Sequence, residues 1–401
     1  MSETGARRYQ PEAGLVVGGK CVMGQDLLVR DGRIVGQVAR TTATPGYEVV
    51  RVRAMVAPGL VDMHTHGAFG VALESVDPTT EDRPLDTFRQ ALWAHGVAAF
   101  VASLPSLTPA ATVAQLDRLA PYAGRVECGR ATLLGVHLEG PYLAPAKRGA
   151  HPPENLRRPD PIELARWLDR HPGLVRMVTL APELPGAGDL VRVVRERGAV
   201  AALGHSEAGA EAAEAAFALG ARHATHLWNA MPALGHRAPG LVGAMLAAGD
   251  TTVEMILDGH HLDPRVAALT LRAVGPNRFA LVTDAMAAAG LGDGQYRLGD
   301  LVATVRDGVA RAPDGVLAGS TLLLEGAVRH VVAWGLADAA RAHAMASSVP
   351  ARIIQAEGFA SVAPGAVAAL IELDADGGLR PLDASGQGTL RLAAKLGGTE
   401  A

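Results

Sequence analysis

The chain is poor in the residues that mark secreted or nucleic-acid-binding proteins. Its 401 residues include two cysteines, Cys21 and Cys128, which lie far apart and form no CxxC motif. No disulfide framework is therefore indicated, as is usual for proteins of a reducing cytoplasm. The net charge is -4 and no block of basic residues occurs, which argues against nucleic acid as the main partner.

Long apolar segments are also missing. No uninterrupted apolar run approaches the roughly 18 residues that a membrane-spanning helix needs. The first ten residues are polar and lack the apolar core of a secretory signal peptide. We therefore expect a cytoplasmic protein without membrane contact.

What the chain does contain is a regular series of short apolar runs that end abruptly in polar or glycine-rich residues. Such runs are typical of buried parallel strands. They are Ala57–Met63, Ala98–Ser103, Ala131–Val136, Leu174–Leu180, Ala199–Leu203, Ala221–Thr225, Thr252–Leu257 and Phe279–Thr283. Helix-like stretches separate most of them, so the pattern predicts a (β/α)8 TIM-like barrel, an α/β fold. An open doubly wound sheet is the alternative.

The two ends of the chain have a different, β-like pattern. Short strands are predicted between residues 14 and 56, with a hairpin at Asp31-Gly32. Val367–Asp376 and Gly388–Leu392 are also β-like. We expect a small β-sandwich domain built from residues 1–56 and 356–401, flanking a catalytic barrel at residues 57–355.

Metal-binding residue types follow several of the predicted strands. His64 and His66 end the first strand, Glu139 the third, His205 the fifth and His226 the sixth. The carboxyl ends of barrel strands form one face of the molecule, where active sites lie. One carboxylate and two imidazoles make a sound divalent-metal set. Taken singly, each histidine could be a core residue and Glu139 a structural salt bridge.

Two further observations bear on the chemistry of that face. Asp284 follows the eighth strand, where a carboxylate can accept a proton from a water molecule activated by a metal; a helix N-cap is its alternative role. The three lysines, Lys20, Lys147 and Lys395, lie outside the predicted strand ends. No lysine is therefore expected at a strand end, where in carboxylated form it could bridge two metals. If two metals bind, Glu139 is the plausible bridge.

Taken together, these motifs resemble those of the N-acetylglucosamine-6-phosphate deacetylases of the amidohydrolase superfamily. The segments that carry the resemblance are APGLVDMHTHG from Ala57, GVHLEGPYL from Gly135, KRGAH from Lys147, LGHSEA from Leu203, ATHLWNAMPALGHRAPGLVGA from Ala224, DGHHL from Asp258, LVTDAMAAAGL from Leu281 and LAGST from Leu317. They span the predicted barrel.

The resemblance implies a role for each matching residue. Glu139, His205 and His226 would hold a primary metal, and His64 and His66 make a second metal site plausible. Asp284 would be the general base and then the acid, and His151 would polarise the acetyl carbonyl. The implied substrate-binding residues are Ala150, His151, Asn229, Ala230, Arg237, His261, Leu317, Ala318 and Gly319. His260 could share the role given to His261.

The implied reaction is hydrolysis of N-acetyl-D-glucosamine 6-phosphate to D-glucosamine 6-phosphate and acetate, in amino-sugar catabolism or cell-wall recycling. The implied cofactor is one or two divalent ions per subunit, with zinc first and iron, cobalt or manganese as alternatives. A homodimer is expected, with Arg237 reaching the neighbouring site. The alternatives are an amidohydrolase acting on N-acetylgalactosamine 6-phosphate or another N-acyl amide, and a non-catalytic metal-binding barrel.

Overall fold

The computed structural model describes residues 5–81, 83–299 and 301–382. Its first elements are short strands. These are β1 (Ala6–Pro11), β2 (Leu15–Val17), β3 (Lys20–Val22), β4 (Gln25–Arg30), β5 (Arg33–Ala39), β6 (Glu48–Val52) and β7 (Met55–Pro58). One sheet has the order β5-β4-β1-β6. Its β4–β5 hairpin turns at Asp31 and Gly32, whose φ angles of 50° and 71° suit a tight two-residue turn.

The middle of the chain forms the predicted barrel. Its strand region contains β8 (Leu60–Thr65), β9 (Gly67–Ala68), β10 (Val71–Ala72), β11 (Val97–Leu104), β12 (Thr132–Glu139), β13 (Val175–Leu180), β14 (Val200–Leu203), β15 (His223–Ala224), β16 (Thr252–Ile256) and β17 (Phe279–Val282). Among the described residues, β8 and β11 to β17 pair side by side as an eight-stranded parallel sheet. The TIM-like barrel is thereby confirmed.

Helices follow the barrel strands and cover the outside. They are α1 (Pro84–Ala94), α2 (Pro109–Leu119), α3 (Pro161–Arg170), α4 (Ala187–Glu196), α5 (Ala210–Leu219), α6 (Gly240–Ala247), α7 (Pro264–Val274), α8 (Leu324–Ala333), α9 (Ala339–Met345) and α10 (Ser348–Ile353). Apolar side chains of these helices are buried. Phe88 of α1, for example, packs edge-on against Phe100 of β11, with ring centroids 5.2 Å apart. No helix of the described ranges is long and apolar enough to cross a membrane.

The first and last barrel strands meet through residues that lie next to the histidines of β8. The backbone N–H of Asp284 donates to the His64 carbonyl at 2.9 Å. The hydroxyl of Thr283 donates to Asp62 Oδ2 at 2.6 Å. Burial raises the pKa of the Asp62 carboxyl to about 6, although these hydrogen bonds oppose the rise. Closure of the barrel thus fixes Asp284 beside His64.

A three-stranded antiparallel sheet after β17 was not predicted from the sequence. It consists of β18 (Gly294–Leu298), β19 (Leu301–Arg306) and β20 (Val309–Arg311). Ala303, Val305 and Ala310 form a small apolar cluster with residues that follow β17 and β20. The sheet therefore sits over the carboxyl end of the barrel, beside Leu317 and Gly319.

The chain ends by returning to its beginning. β21 (Leu370–Leu373) pairs with β7 and with β22 (Leu379–Pro381), giving the sheet β22-β21-β7-β2-β3. The first predicted strand, Ala57–Met63, is split: Ala57 belongs to this sheet and Leu60 begins the barrel. Gly59 lies between, where an added Cβ would be 2.5 Å from the Ala98 methyl. We propose that the two outer sheets form the small end-built domain; Gly388–Leu392 lies outside the described residues.

Candidate active site

Three polar residues at the carboxyl face share an unusual backbone. His205, His226 and Asp284 are each the second residue after a strand, and their φ angles are 47°, 27° and 48°. Left-handed backbone at non-glycine residues costs about 1 to 3 kcal/mol each and tends to cluster at functional sites. This backbone conformation directs all three side chains into the cavity at the mouth of the barrel.

Glu139 is the residue on which the buried histidines converge. Its carboxylate oxygens lie 3.1 Å from His205 Nε2, 3.0 Å from His226 Nε2 and 3.1 Å from His66 Nε2. Burial alone would raise the pKa of Glu139. The surrounding imidazoles, with His64 foremost, nevertheless hold this pKa well below its usual range. The carboxylate is therefore ionised at neutral pH.

The donor atoms of Glu139, His205 and His226 fit a divalent cation. His205 Nδ1 donates to the carbonyl of Lys147 at 2.7 Å, which fixes the ring proton on Nδ1. Burial lowers the pKa of His205 to about 4, so the ring is neutral at pH 7. Its Nε2 lone pair faces His226 Nε2 at 3.0 Å and the Glu139 carboxylate. Two imidazole nitrogens and a carboxylate that converge in this way form a suitable binding site for a divalent cation.

A second group of donors shares Glu139. The Nε2 atoms of His64 and His66 are 3.3 Å apart, and both rings face the Glu139 carboxylate. Burial alone would lower the pKa of His64. The carboxylates of Glu254, Asp284 and Glu139 nevertheless hold this pKa well above its usual value. These two triads are compatible with a divalent metal.

Asp284 lies beside the second group. Its Oδ1 is 3.3 Å from His64 Nε2 and 3.2 Å from His66 Nε2. Burial opposes the shift, but His64 and then His66 lower the pKa of Asp284 to about 2. The residue is followed by turns rather than by a helix, so the N-cap alternative does not apply. An ionised carboxylate is thus held at the floor of the cavity.

His151 presents a defined tautomer to the same carboxylate. The backbone N–H of Ser106 donates to His151 Nδ1 at 3.0 Å, so this nitrogen is an acceptor. A neutral ring then carries its proton on Nε2, which lies 3.3 Å from Glu139 Oε2. His151 can therefore offer an N–H donor to a molecule bound in the cavity.

These side chains surround a cavity of about 470 Å³, within the usual range for small-molecule sites. The predicted residues that line it are His66, Glu139, Ala150, His151, His205, His226, Asn229, Ala230, His261, Asp284, Leu317 and Gly319. His64 is fully buried behind them, and Ala318 is buried between its two lining neighbours.

Two of the residues considered from the sequence lie apart from this group. Arg237 is exposed on the loop between His226 and α6, outside the cavity lining. His260 is exposed as well, whereas His261 lines the cavity and its Nδ1 donates to Asp258 Oδ2 at 2.6 Å. Of the two neighbouring histidines, His261 is the one placed to meet a bound molecule.

Sequence reasoning missed several residues of the site. Glu254, on β16, is fully buried and bonds His64, His223 and the backbone of His226. Its signal was visible as an acid within the apolar run of residues 253–257. Ser106, Lys147 and Arg148 also line the cavity. Lys147 and Arg148 belong to the KRGAH segment, in which only Ala150 and His151 were assigned to the site from the sequence.

Comparison with known proteins agrees with this geometry. Residues 55–392 match the family model described as "Amidohydrolase family". The chain is 37% identical over 320 residues to the N-acetylglucosamine-6-phosphate deacetylase of Vibrio furnissii, covering 80% of this chain and 79% of that protein. It is 36% identical over 340 residues to the N-acetylgalactosamine-6-phosphate deacetylase of Escherichia coli O157:H7, covering 84% and 89%.

The fold has a solved counterpart. A mutant of the N-acetyl-D-glucosamine-6-phosphate deacetylase from Mycobacterium smegmatis, in complex with N-acetyl-D-glucosamine-6-phosphate, superposes with a TM-score of 0.85. The two chains are 35% identical, and the match covers 96% of this chain and 99% of that one. By the family match and by these relatives, the chain belongs to the amidohydrolase family.

Proposed function

We propose that this protein hydrolyses the acetamido group of N-acetyl-D-glucosamine 6-phosphate, releasing acetate and D-glucosamine 6-phosphate. The observation that carries the proposal is the convergence of a metal-ligand set, an ionised Asp284 and the His151 donor on the floor of one cavity. Metal-assisted amide hydrolysis uses these three functions: activation of water, transfer of a proton and stabilisation of the oxyanion. The similar deacetylases supply the substrate class.

We assign the primary metal to Glu139, His205 and His226, and a second ion to His64, His66 and the shared Glu139. When bound, a divalent cation supplies Lewis acidity, which activates water and polarises a carbonyl oxygen. Zinc is the first choice for an imidazole and carboxylate set, with iron, cobalt or manganese as alternatives. Glu139 lies between the two histidine pairs and would bridge two ions.

Asp284 moves the proton in this scheme. At neutral pH its carboxylate is ionised and can accept a proton from the attacking water. It can then deliver that proton to the sugar nitrogen as the amide bond breaks. His151, with its proton on Nε2, donates a hydrogen bond to the acetyl oxygen as negative charge develops there.

The phosphate end of the substrate needs cations away from Glu139 and Asp284. His261, Asn229 and Ala230 line the cavity and belong to neither metal triad. Lys147 adds a charge: its Nζ donates to the Met231 carbonyl at 3.3 Å, and no carboxylate of the described residues is in ion-pair distance. Its neighbour Arg148 is paired with Asp314 instead. We therefore place Lys147 with His261 near the phosphate.

Arg237 would complete the phosphate site from a second subunit. Its exposure on a loop outside the cavity fits a side chain that reaches across a dimer interface. A mixture of Arg237→Met and Asp284→Asn subunits tests this arrangement. Mixed dimers would contain one complete site, so activity should return to about a quarter of the wild-type value. If activity does not return although subunit exchange has been demonstrated, Arg237 does not act in the neighbouring site.

The galacto epimer is the second candidate substrate. The relative named for N-acetylgalactosamine 6-phosphate is about as similar, at 36% identity, as the relative named for N-acetylglucosamine 6-phosphate, at 37%. Values of kcat/KM for both epimers and for unphosphorylated N-acetylglucosamine decide between them. We expect N-acetylglucosamine 6-phosphate to be the best substrate. A higher kcat/KM for the galacto phosphate would make that epimer the assigned substrate instead. A cytoplasmic location, expected from the sequence, belongs to the same proposal.

A further inference from the structure

A buried carboxylate outside the proposed metal triads contacts one ligand from each of them. Glu254 lies in the middle of β16, and its side chain is fully shielded from solvent. No arginine or lysine of the described ranges pairs with it; its ion-pair partners are His64 and His223. Burial of a carboxylate without a fixed cation is costly unless its hydrogen bonds are complete.

The hydrogen bonds of Glu254 are complete and directional. Oε2 accepts from His64 Nδ1 at 2.9 Å and from the backbone N–H of His226 at 3.1 Å. Oε1 accepts from His223 Nε2 at 3.1 Å, and His223 Nδ1 is 2.7 Å from the Thr252 hydroxyl. Both oxygens are therefore engaged, and the carboxylate cannot rotate without breaking a buried bond.

The bond to His64 decides which nitrogen of that ring can bind a metal. Because Nδ1 donates to Glu254, a neutral His64 must carry its lone pair on Nε2. That atom faces His66 Nε2 at 3.3 Å and Asp284 Oδ1 at 3.3 Å. Without Glu254, the ring could take either tautomer or rotate, and a proton on Nε2 would exclude a metal.

We propose that Glu254 is a positioning residue for the second metal, the ion held by His64, His66 and Glu139. It acts through the tautomer and orientation of His64. Its bond to His226 also ties the two triads together, but that bond is made to the backbone N–H and not to the imidazole ring. Loss of a bond of this kind to a metal-ligating histidine typically weakens metal binding about 10- to 100-fold.

Two variants separate position from charge. Glu254→Gln keeps the length of the side chain and an oxygen that can accept from His64, but it loses the charge. Glu254→Asp keeps the charge, but its shorter side chain withdraws the oxygens from His64. Thr252→Val, on the same strand, is the matched control, because it removes a contact to His223 and leaves Glu254 in place.

The measurement is a titration of metal-depleted enzyme with zinc against a chromophoric chelator, with cobalt spectra as a second readout. Wild-type protein should bind two ions in two steps. Glu254→Asp should weaken the second step at least about tenfold while the first changes little. Glu254→Gln and Thr252→Val should stay close to wild type.

Four results would overturn the inference. They are a single ion bound by the wild type, an equal loss of both steps in Glu254→Asp, wild-type binding by that variant, or a tenfold loss in Glu254→Gln. If Glu254→Asp does not fold, a tenfold loss of the second step in Glu254→Gln would still overturn the inference. The inference rests on the metal chemistry proposed above, but the titration uses no substrate, so failure to deacetylate an amino sugar is a separate result.

Discussion

Replacement of Asp284 by asparagine is the sharpest test of the proton chemistry. The carboxylate has a pKa of about 2, so it is ionised at pH 7 and can act as a base, whereas an amide cannot. Loss of a general base typically costs a factor of about 10² to 10⁴, or about 3 to 5 kcal/mol in the activation free energy. The backbone bond to the His64 carbonyl is kept, so barrel closure should survive.

The assay is steady-state acetate release from N-acetylglucosamine 6-phosphate, with the metal content of the same samples measured by atomic spectroscopy. Asp284→Asn should lose at least about 99% of kcat with its metal content unchanged, since Asp284 belongs to neither metal triad. Asp250→Asn, an exposed aspartate beyond the other end of the barrel, should behave as wild type. More than a tenth of wild-type activity in Asp284→Asn would refute the assigned role.

The other predictions concern the phosphate end, pH stability and His151. Lys147→Met should raise KM for the phosphorylated substrate about tenfold without changing hydrolysis of the unphosphorylated sugar; Lys20→Met, at an exposed lysine, is its control, and equal loss on both substrates would contradict it. His343 is buried, with a pKa lowered to about 4 by burial, so the unfolded state binds more protons and stability falls as pH drops from 6.5 toward 4. In urea unfolding, the free energy of unfolding of His343→Gln should fall about 2 kcal/mol less between pH 7 and pH 5 than that of the wild type. An unchanged pH dependence would contradict this. His151→Phe should lower kcat more than about 100-fold with wild-type zinc content, and a change in KM alone would argue against a donor to the acetyl oxygen.

The position of the site could be predicted because it depends on topology. Parallel strands bring their carboxyl ends to one face, so polar residues after successive strands must meet there. His205, His226 and Asp284 could be found in this way from strand endings alone. The left-handed backbone that aims them into the cavity left no mark in the residue types.

Features that depend on the register of the closed barrel could not be predicted. Whether an acid inside a strand faces the barrel interior or the helices is fixed only when all the strands pair, so the partners of Glu254 remained hidden. The sheet of β18 to β20 is an insertion outside the barrel repeat, and periodicity along the barrel gave no expectation for it. The crossing at Gly59 likewise follows from contact with β11 rather than from local sequence.

We propose that this protein hydrolyses the acetamido group of a phosphorylated amino sugar and that Glu139, His205 and His226 hold the metal it requires. The most direct measurement is acetate release from N-acetylglucosamine 6-phosphate by native, chelator-treated and zinc-restored enzyme. We predict turnover by the native enzyme, its loss on chelation and its return with zinc. Absence of acetate release by fully metal-loaded protein, or turnover that persists in metal-free protein, would contradict this proposal.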